Sequence, residues 1–263
     1  MRKFLFLFVF LSLFLFSGCL TTTGFKDFYE PWYEDNFLPT EGFLKEEESP
    51  KIIQTSDLES KFREISSQWY WCIGYSGFNG AELSVSEINT VLNQLCTEKK
   101  AKVAIWAKEY TDTRNGVYSV PHTNYHSYTD SYGFIRSYTT TSYSTSSYSV
   151  QRYDFSSYLF VEIPDEYKLL YIPGFSVNDL SQKDRDYYKQ NTGCLINIVY
   201  KDTVAYYANL FNGDIITNIN GITVRNTEDF YQIRNNSKIG DLWEITYVRN
   251  GIEKKTTLTF GLF

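Results

Sequence analysis

Histidine is nearly absent from this chain: His122 and His126 are the only two in 263 residues. A Ser-His-Asp mechanism needs an imidazole to take the serine's proton and a carboxylate to orient that imidazole. Both histidines instead fall in the Tyr/Ser/Thr-rich stretch VPHTNYHSYTDSYG, and the sequence carries no Gly-Asn-Ser-Gly-Gly-like nucleophile turn. GYSGF, from Gly74 to Phe78, lacks the second glycine of a nucleophile elbow. On a helix the four-residue spacing of the histidines would give a shared metal-binding face. The surrounding Tyr125, Ser127, Tyr128 and Thr129 favour strand or loop, where the spacing gives only a common sheet face. No Cys, Asp or Glu cluster lies near enough in sequence to complete four ligands. No catalytic residue, metal or cofactor is expected, and the chain reads as non-enzymatic.

Basic charge is not in excess either. The formal net charge is -6 with a pI near 5.1, which gives no electrostatic footprint for nucleic acid, and no basic run suggests a polybasic membrane patch. Long apolar runs are limited to one. MRKFLFLFVFLSLFLFSGCL opens with Arg2 and Lys3, continues with an apolar stretch from Phe4 to Phe16, and ends in Ser17-Gly18 before Cys19. That is a secretory leader, too short for a durable membrane span. Its end resembles a bacterial lipobox, with Phe16 in place of the usual leucine, which implies that Cys19 becomes the lipidated first residue of an envelope protein.

Cysteine is scarce, and lipidation of Cys19 leaves three. Cys72 and Cys96 could pair if the strand around WYWCIGY packs on the helix carrying Cys96. Cys194 begins an apolar strand and is expected to be buried as a small hydrophobe.

What the chain has in abundance is aromatic and β-forming residues. After the leader at residues 1–18, residues 19–60 mix acids, prolines and scattered aromatics and read as a tether. Residues 61–166 read as a small α+β domain: a strand and loop in WYWCIGYSGFNG, then a helix from Ser84 to Ala101. Ser84 or Ser86 caps that helix, and Ile88, Val91, Leu92 and Leu95 share one face. A strand follows from Val103, and SYLFVEIP supplies a later one. Between Tyr110 and Tyr158 near-alternation of Tyr with Ser and Thr reads as a long β-hairpin whose rings shield one another, the alternative being an aromatic binding surface. This arrangement resembles, faintly, a module of bacterial envelope proteins with no known activity.

The last region, residues 167–263, is the most patterned. In LFNGDIITNINGITV, Asn220-Gly221 separates two apolar runs and marks a two-residue hairpin turn. Asn226-Thr227-Glu228-Asp229 starts a short helix, and alternating strands from Trp243 and Lys255 flank a turn at Asn250-Gly251. VAYYANLFNGDIITNINGITVRNTEDFYQI and GDLWEITYVRNGIEKKTTLTF together resemble the PDZ domain in its circularly permuted bacterial form, as found in high-temperature-requirement proteases. The resemblance implies a partly open β-barrel with short helices, and strand addition of an extended peptide to an exposed edge. On the matching positions, Ile172, Pro173, Gly174, Phe175, Ser176 and Val177 form the loop and strand at one side of the groove, and Phe230, Tyr231 and Arg234 the other. Pro173 supplies no amide hydrogen where the family more often has a donor. Asn209 stands where these domains usually carry glycine. The expected partner is an extended peptide or the C-terminus of an envelope protein, with the membrane reached through a lipid. The alternatives are an accessory or degenerate relative of an envelope protease, and a structural protein whose PDZ-like domain only packs.

Overall fold

The computed structural model describes residues 24–33 and 38–263; the leader and Cys19 lie outside the described residues. Two sheets with separate cores make an α+β architecture.

The first sheet begins earlier than the sequence suggests. Gly24–Asp27 (α1) and Tyr29–Pro31 (β1) are followed by Lys51–Gln54 (β2), Leu58–Ser67 (α2), Tyr70–Ala81 (β3), Val85–Lys99 (α3), Val103–Thr129 (β4) and Ile135–Glu162 (β5). The strand order is β1-β3-β5-β4-β2. β2 runs parallel to β4, and β5 lies antiparallel between β3 and β4. Residues 24–54, expected as part of a loose tether, thus supply both edge strands. Phe25 is fully buried against Phe78 and Phe155, and the Tyr29 hydroxyl donates to the Ile73 carbonyl at 3.2 Å. The apolar residues of this segment pack one at a time, so no periodicity announces them.

Side chains cap α2 and α3. Asp57 accepts from the Ser60 amide at the start of α2. Ser84 and Glu87 form a reciprocal capping box on α3, whose residues Ile88, Leu92, Leu95 and Cys96 are buried. The two helices cover opposite faces of the sheet. Cys96 packs with Trp106, Leu159 and the α3 leucines, whereas Cys72 packs with Ile65, Ile105 and Phe160 under α2. The sheet itself therefore separates the pair considered for a disulfide. Cys72, Cys96 and Cys194 are free and buried, and burial pushes each thiol up to about 12.

β4 and β5 continue far past their neighbours. β2 accompanies β4 only to Trp106, and β3 accompanies β5 only to Arg152. From Thr113 to Thr129 the ribbon is two-stranded, about 55 Å long at roughly 3.3 Å per residue. The register places Tyr118, Tyr128, Tyr138, Tyr148, His122 and His126 on one face and Tyr125 and Tyr143 on the other. The Tyr148 ring lies over Gly116, where a Cβ would come within 2.4 Å of it. His126 stacks on Tyr138 at 4.9 Å, and His122 is hydrogen-bonded to Ser144 at 2.7 Å.

After Asp165–Lys168 (α4), the second sheet comprises Phe175–Asp179 (β6), Cys194–Val199 (β7), Ile215–Ile219 (β8), Ile222–Thr223 (β9), Leu242–Arg249 (β10) and Ile252–Thr259 (β11). Gln182–Tyr188 (α5), Val204–Tyr207 (α6) and Thr227–Asn236 (α7) interrupt them. The sheet is open and antiparallel, in the order β11-β10-β8-β7-β6, with β9 paired to β8. Asn220 and Gly221 both have positive φ in the β8–β9 turn, and Asn209 is left-handed at φ 61°. Trp243, Phe230, Phe175, Ile196, Ile216 and Ile245 fill the core. At its edge the buried Asp214 accepts from Arg249 through two bonds of 2.6 Å and from the Phe211 amide at 2.8 Å.

Candidate peptide-binding edge

β6 is the terminal strand of the second sheet: β7 pairs with one of its sides and no strand among the described residues pairs with the other. Along an antiparallel pair, residues alternate between exchanging hydrogen bonds with the partner and facing away from it. The Tyr200 amide donates to the Gly174 carbonyl at 2.9 Å. With Phe175 opposite Val199 and Ser176 opposite Ile198, the backbone of Phe175 falls at a non-bonded position and faces outward. A bulge follows between Ser176 and Val177. Ile196, opposite Val177, uses its amide on Asp214 and its carbonyl on Gly213, so the backbone of Val177 faces outward as well. The side chains of both residues are buried, at 3% and 6% exposure, and Phe175 meets Phe230 at 5.6 Å. Phe175 and Val177 therefore offer main-chain groups to the edge while their side chains support the core behind it.

α7 stands across this edge, fixed at both ends. Asn226 caps it by accepting from the Asp229 amide at 3.0 Å. The Thr227 amide donates to Asp179 Oδ1 at 2.7 Å, tying the helix start to the end of β6. At the other end Arg234 donates from Nε to the Ile172 carbonyl at 2.8 Å and from Nη2 to the Leu170 and Leu169 carbonyls at 2.7 and 3.4 Å. The ten-residue helix is about 15 Å long, close to the length of β6. Phe230 is buried against Phe175 and Trp243, whereas Tyr231 is 43% exposed. Of the wall residues named from sequence, Tyr231 lies open, Phe230 belongs to the core and Arg234 acts as a clamp. The Ser176 hydroxyl is buried and has no hydrogen-bond partner among the described residues.

The head of the groove is the turn from Leu169 to Gly174. Gly174 has φ +100°, and a Cβ there would meet Thr203 at 2.3 Å, so only glycine fits on both counts. This turn is also where the two domains meet. Trp71 Nε1 donates to the Tyr171 hydroxyl at 2.6 Å, and Trp69 stacks on Tyr200 at 4.2 Å. The Lys201 amide donates to the Ser67 carbonyl. Burial raises the Tyr200 hydroxyl well above the usual tyrosine range, and neighbouring Tyr171 adds to this. Sequence reasoning did not find Trp69, Trp71 or Asp179, because their roles arise only when distant segments meet.

The PDZ domain family matches residues 174–260. No curated protein matches the chain. Among solved structures, the HtrA-type protease AlgW with a decapeptide aligns over 40% of this chain at 19% identity and a TM-score of 0.33. The chain spans 37% of that protein's length. The HtrA3 PDZ domain bound to a phage-derived ligand, FGRWV, aligns over 34% of this chain and 84% of its own at 12% identity and a TM-score of 0.31.

Proposed function

We propose that this is a lipid-anchored protein of the bacterial cell envelope, without catalytic activity, that binds an extended peptide or protein partner along the outer edge of β6. The observation that carries the reading is the pair of outward-facing backbones at Phe175 and Val177, held beside a helix that is clamped at both ends. Strand addition needs such an edge, because main-chain bonds supply affinity and flanking pockets supply selectivity. The anchor rests on the Ser17-Gly18-Cys19 pattern behind a short apolar run.

Two measurements test the two halves of this reading. In cells fed an alkyne-tagged fatty acid, the protein is expected to take up label and to lose it in the Cys19→Ser variant; equal labelling of both would remove the anchor. Screened against arrays of short synthetic peptides, the protein is expected to select extended sequences with apolar residues at alternate positions. A folded protein that selects none would remove the binding role.

A further inference from the structure

We infer that the β6 edge recognises its ligand as an internal extended strand and does not read a terminal carboxylate. This rests on the peptide-binding reading above and narrows its ligand class. A carboxylate at the head of the groove would have to be held by amide hydrogens, since the charge must be met by donors when it leaves water. The donors available there can be counted. Pro173 has none. The Gly174 amide donates to the Tyr171 carbonyl at 2.6 Å, closing the turn, and the Ile172 amide is directed at the Leu169 carbonyl at 3.5 Å. From Ile172 to Phe175, the stretch that matches the carboxylate loop, only Phe175 presents an outward amide, and it is the first residue of β6, where an incoming strand would pair with it.

The polarity of the turn points the same way. Its carbonyls at Leu169, Leu170 and Ile172 converge on Arg234. The guanidinium thus has Nε and Nη2 engaged in a structural clamp between α7 and the turn. A head built from converging acceptors around an engaged arginine is the reverse of a nest of free amides. The turn is held in this form from outside, because the Tyr171 hydroxyl receives the Trp71 indole bond and its ring packs on Tyr200. Freeing the Gly174 amide would require breaking that interdomain packing.

The edge beyond the head is unaffected. Phe175 and Val177 each offer one amide and one carbonyl, and Tyr231 stands exposed on the opposite wall. A strand of about five residues, at roughly 3.3 Å each, fills the length of β6.

The test uses the full-length protein in detergent and short synthetic peptides selected from an array, each prepared with a free C-terminal carboxylate, as an amide, and extended by Gly-Ser-Gly-amide. The three forms are expected to bind within about threefold of one another. A larger loss on amidation or extension would overturn the inference while leaving peptide binding intact. Failure of every form to bind would overturn the underlying reading as well. Val177→Pro removes a ligand-facing amide without removing a β6–β7 bond and is expected to weaken all three forms at least tenfold. If that variant does not fold, N-methylation of alternate ligand amides tests the same ladder from the other side, and unchanged binding by the methylated peptides would sink strand addition.

Discussion

Two of the sheet edges in this protein, the outer side of β6 and the β4–β5 ribbon, are built in opposite ways. The outer edge of β6 is five residues long, carries buried Phe175 and Val177 on its inner side, and is flanked by a clamped helix. Among the described residues, the β4–β5 ribbon beyond Thr113 has two bare edges, no core beneath it and rings that touch mainly one another. β-pairing is common to both, so the difference lies in what stands behind the pairing. An isolated two-stranded hairpin is marginal in water, while a strand seated on a packed sheet inherits the stability of its core. The β6 edge can therefore present a fixed pattern of backbone groups, and the ribbon holds its form through local contacts such as Tyr148 over Gly116.

The comparison breaks most sharply at charged groups. Asp214 is 1% exposed and Arg249 closes over it through two bonds. Arg249→Ala would leave a buried carboxylate unpaired and is expected to cost about 3–5 kcal/mol, read from the urea midpoint of hydrogen exchange at β8 and β10 amides. Arg136→Ala, which removes the exposed partner of Asp130 in the ribbon, is expected to leave that midpoint unchanged. Equal effects would mean that the ribbon is part of the cooperative core.

A smaller effect is expected at the helix that walls the groove. Asn226→Ala removes the cap bond to Asp229 and should destabilise the domain by about 1 kcal/mol. Because α7 is also held through Asp179 and Arg234, the helix should persist and peptide affinity should fall only modestly. Loss of all binding at unchanged global stability would show that the cap, and not the two clamps, positions the wall.

How far these features could be read from the sequence depends on how local they are. The Asn220-Gly221 turn, the helix start at Asn226-Thr227 and a serine cap before Ile88 involve neighbours a few residues apart; the turn forms where the sequence places it, Asn226 is the cap of one helix, and of Ser84 and Ser86 it is Ser84 that caps the other. The same holds for the ribbon's pairing, since alternation of Tyr with Ser and Thr over so long a stretch admits few other structures. The strands at Tyr29 and Lys51 were hidden because each is short and docks on a partner about fifty residues away. The separation of Cys72 from Cys96 depends on which face each helix covers, and no spacing encodes that. At the candidate site, Pro173 announces one missing donor, but the engagement of the Gly174 amide by Tyr171 depends on a turn that the neighbouring domain braces.

Replacing Arg114–Val150 with Asn-Gly should separate the two regions outright. Thr113 and Gln151 face each other across the cut, and a two-residue turn of this type suits such a pair. Since neither β2 nor β3 reaches beyond this point, thermal unfolding of the body is expected to stay within about 0.5 kcal/mol of the parent, as for surface changes that remove no core contact. A large loss would reveal that the ribbon folds back on the body in solution.

The smallest effect belongs to the ribbon's tip, where a single carboxylate organises the turn. Asp130 accepts from the Phe134 amide at 2.9 Å and the Tyr132 amide at 3.0 Å through Oδ1, and from Arg136 Nε at 3.0 Å through Oδ2. The Phe134 amide foremost, then Arg136, holds this acid below the usual aspartate range. A carboxyl lowered in the folded state stabilises the turn fully above its unfolded value, about 3.9, and that contribution disappears as the pH falls through the lower folded value. The tip is therefore expected to be intact at pH 5 and to loosen below about pH 4. Following the Tyr132 and Phe134 amide resonances through an acid titration, with Asp130→Asn as the non-titrating reference, measures this directly. A midpoint at or above the ordinary aspartate value would show that the tip hydrogen bonds do not persist in solution, and the ribbon would then be ordered only along its paired strands.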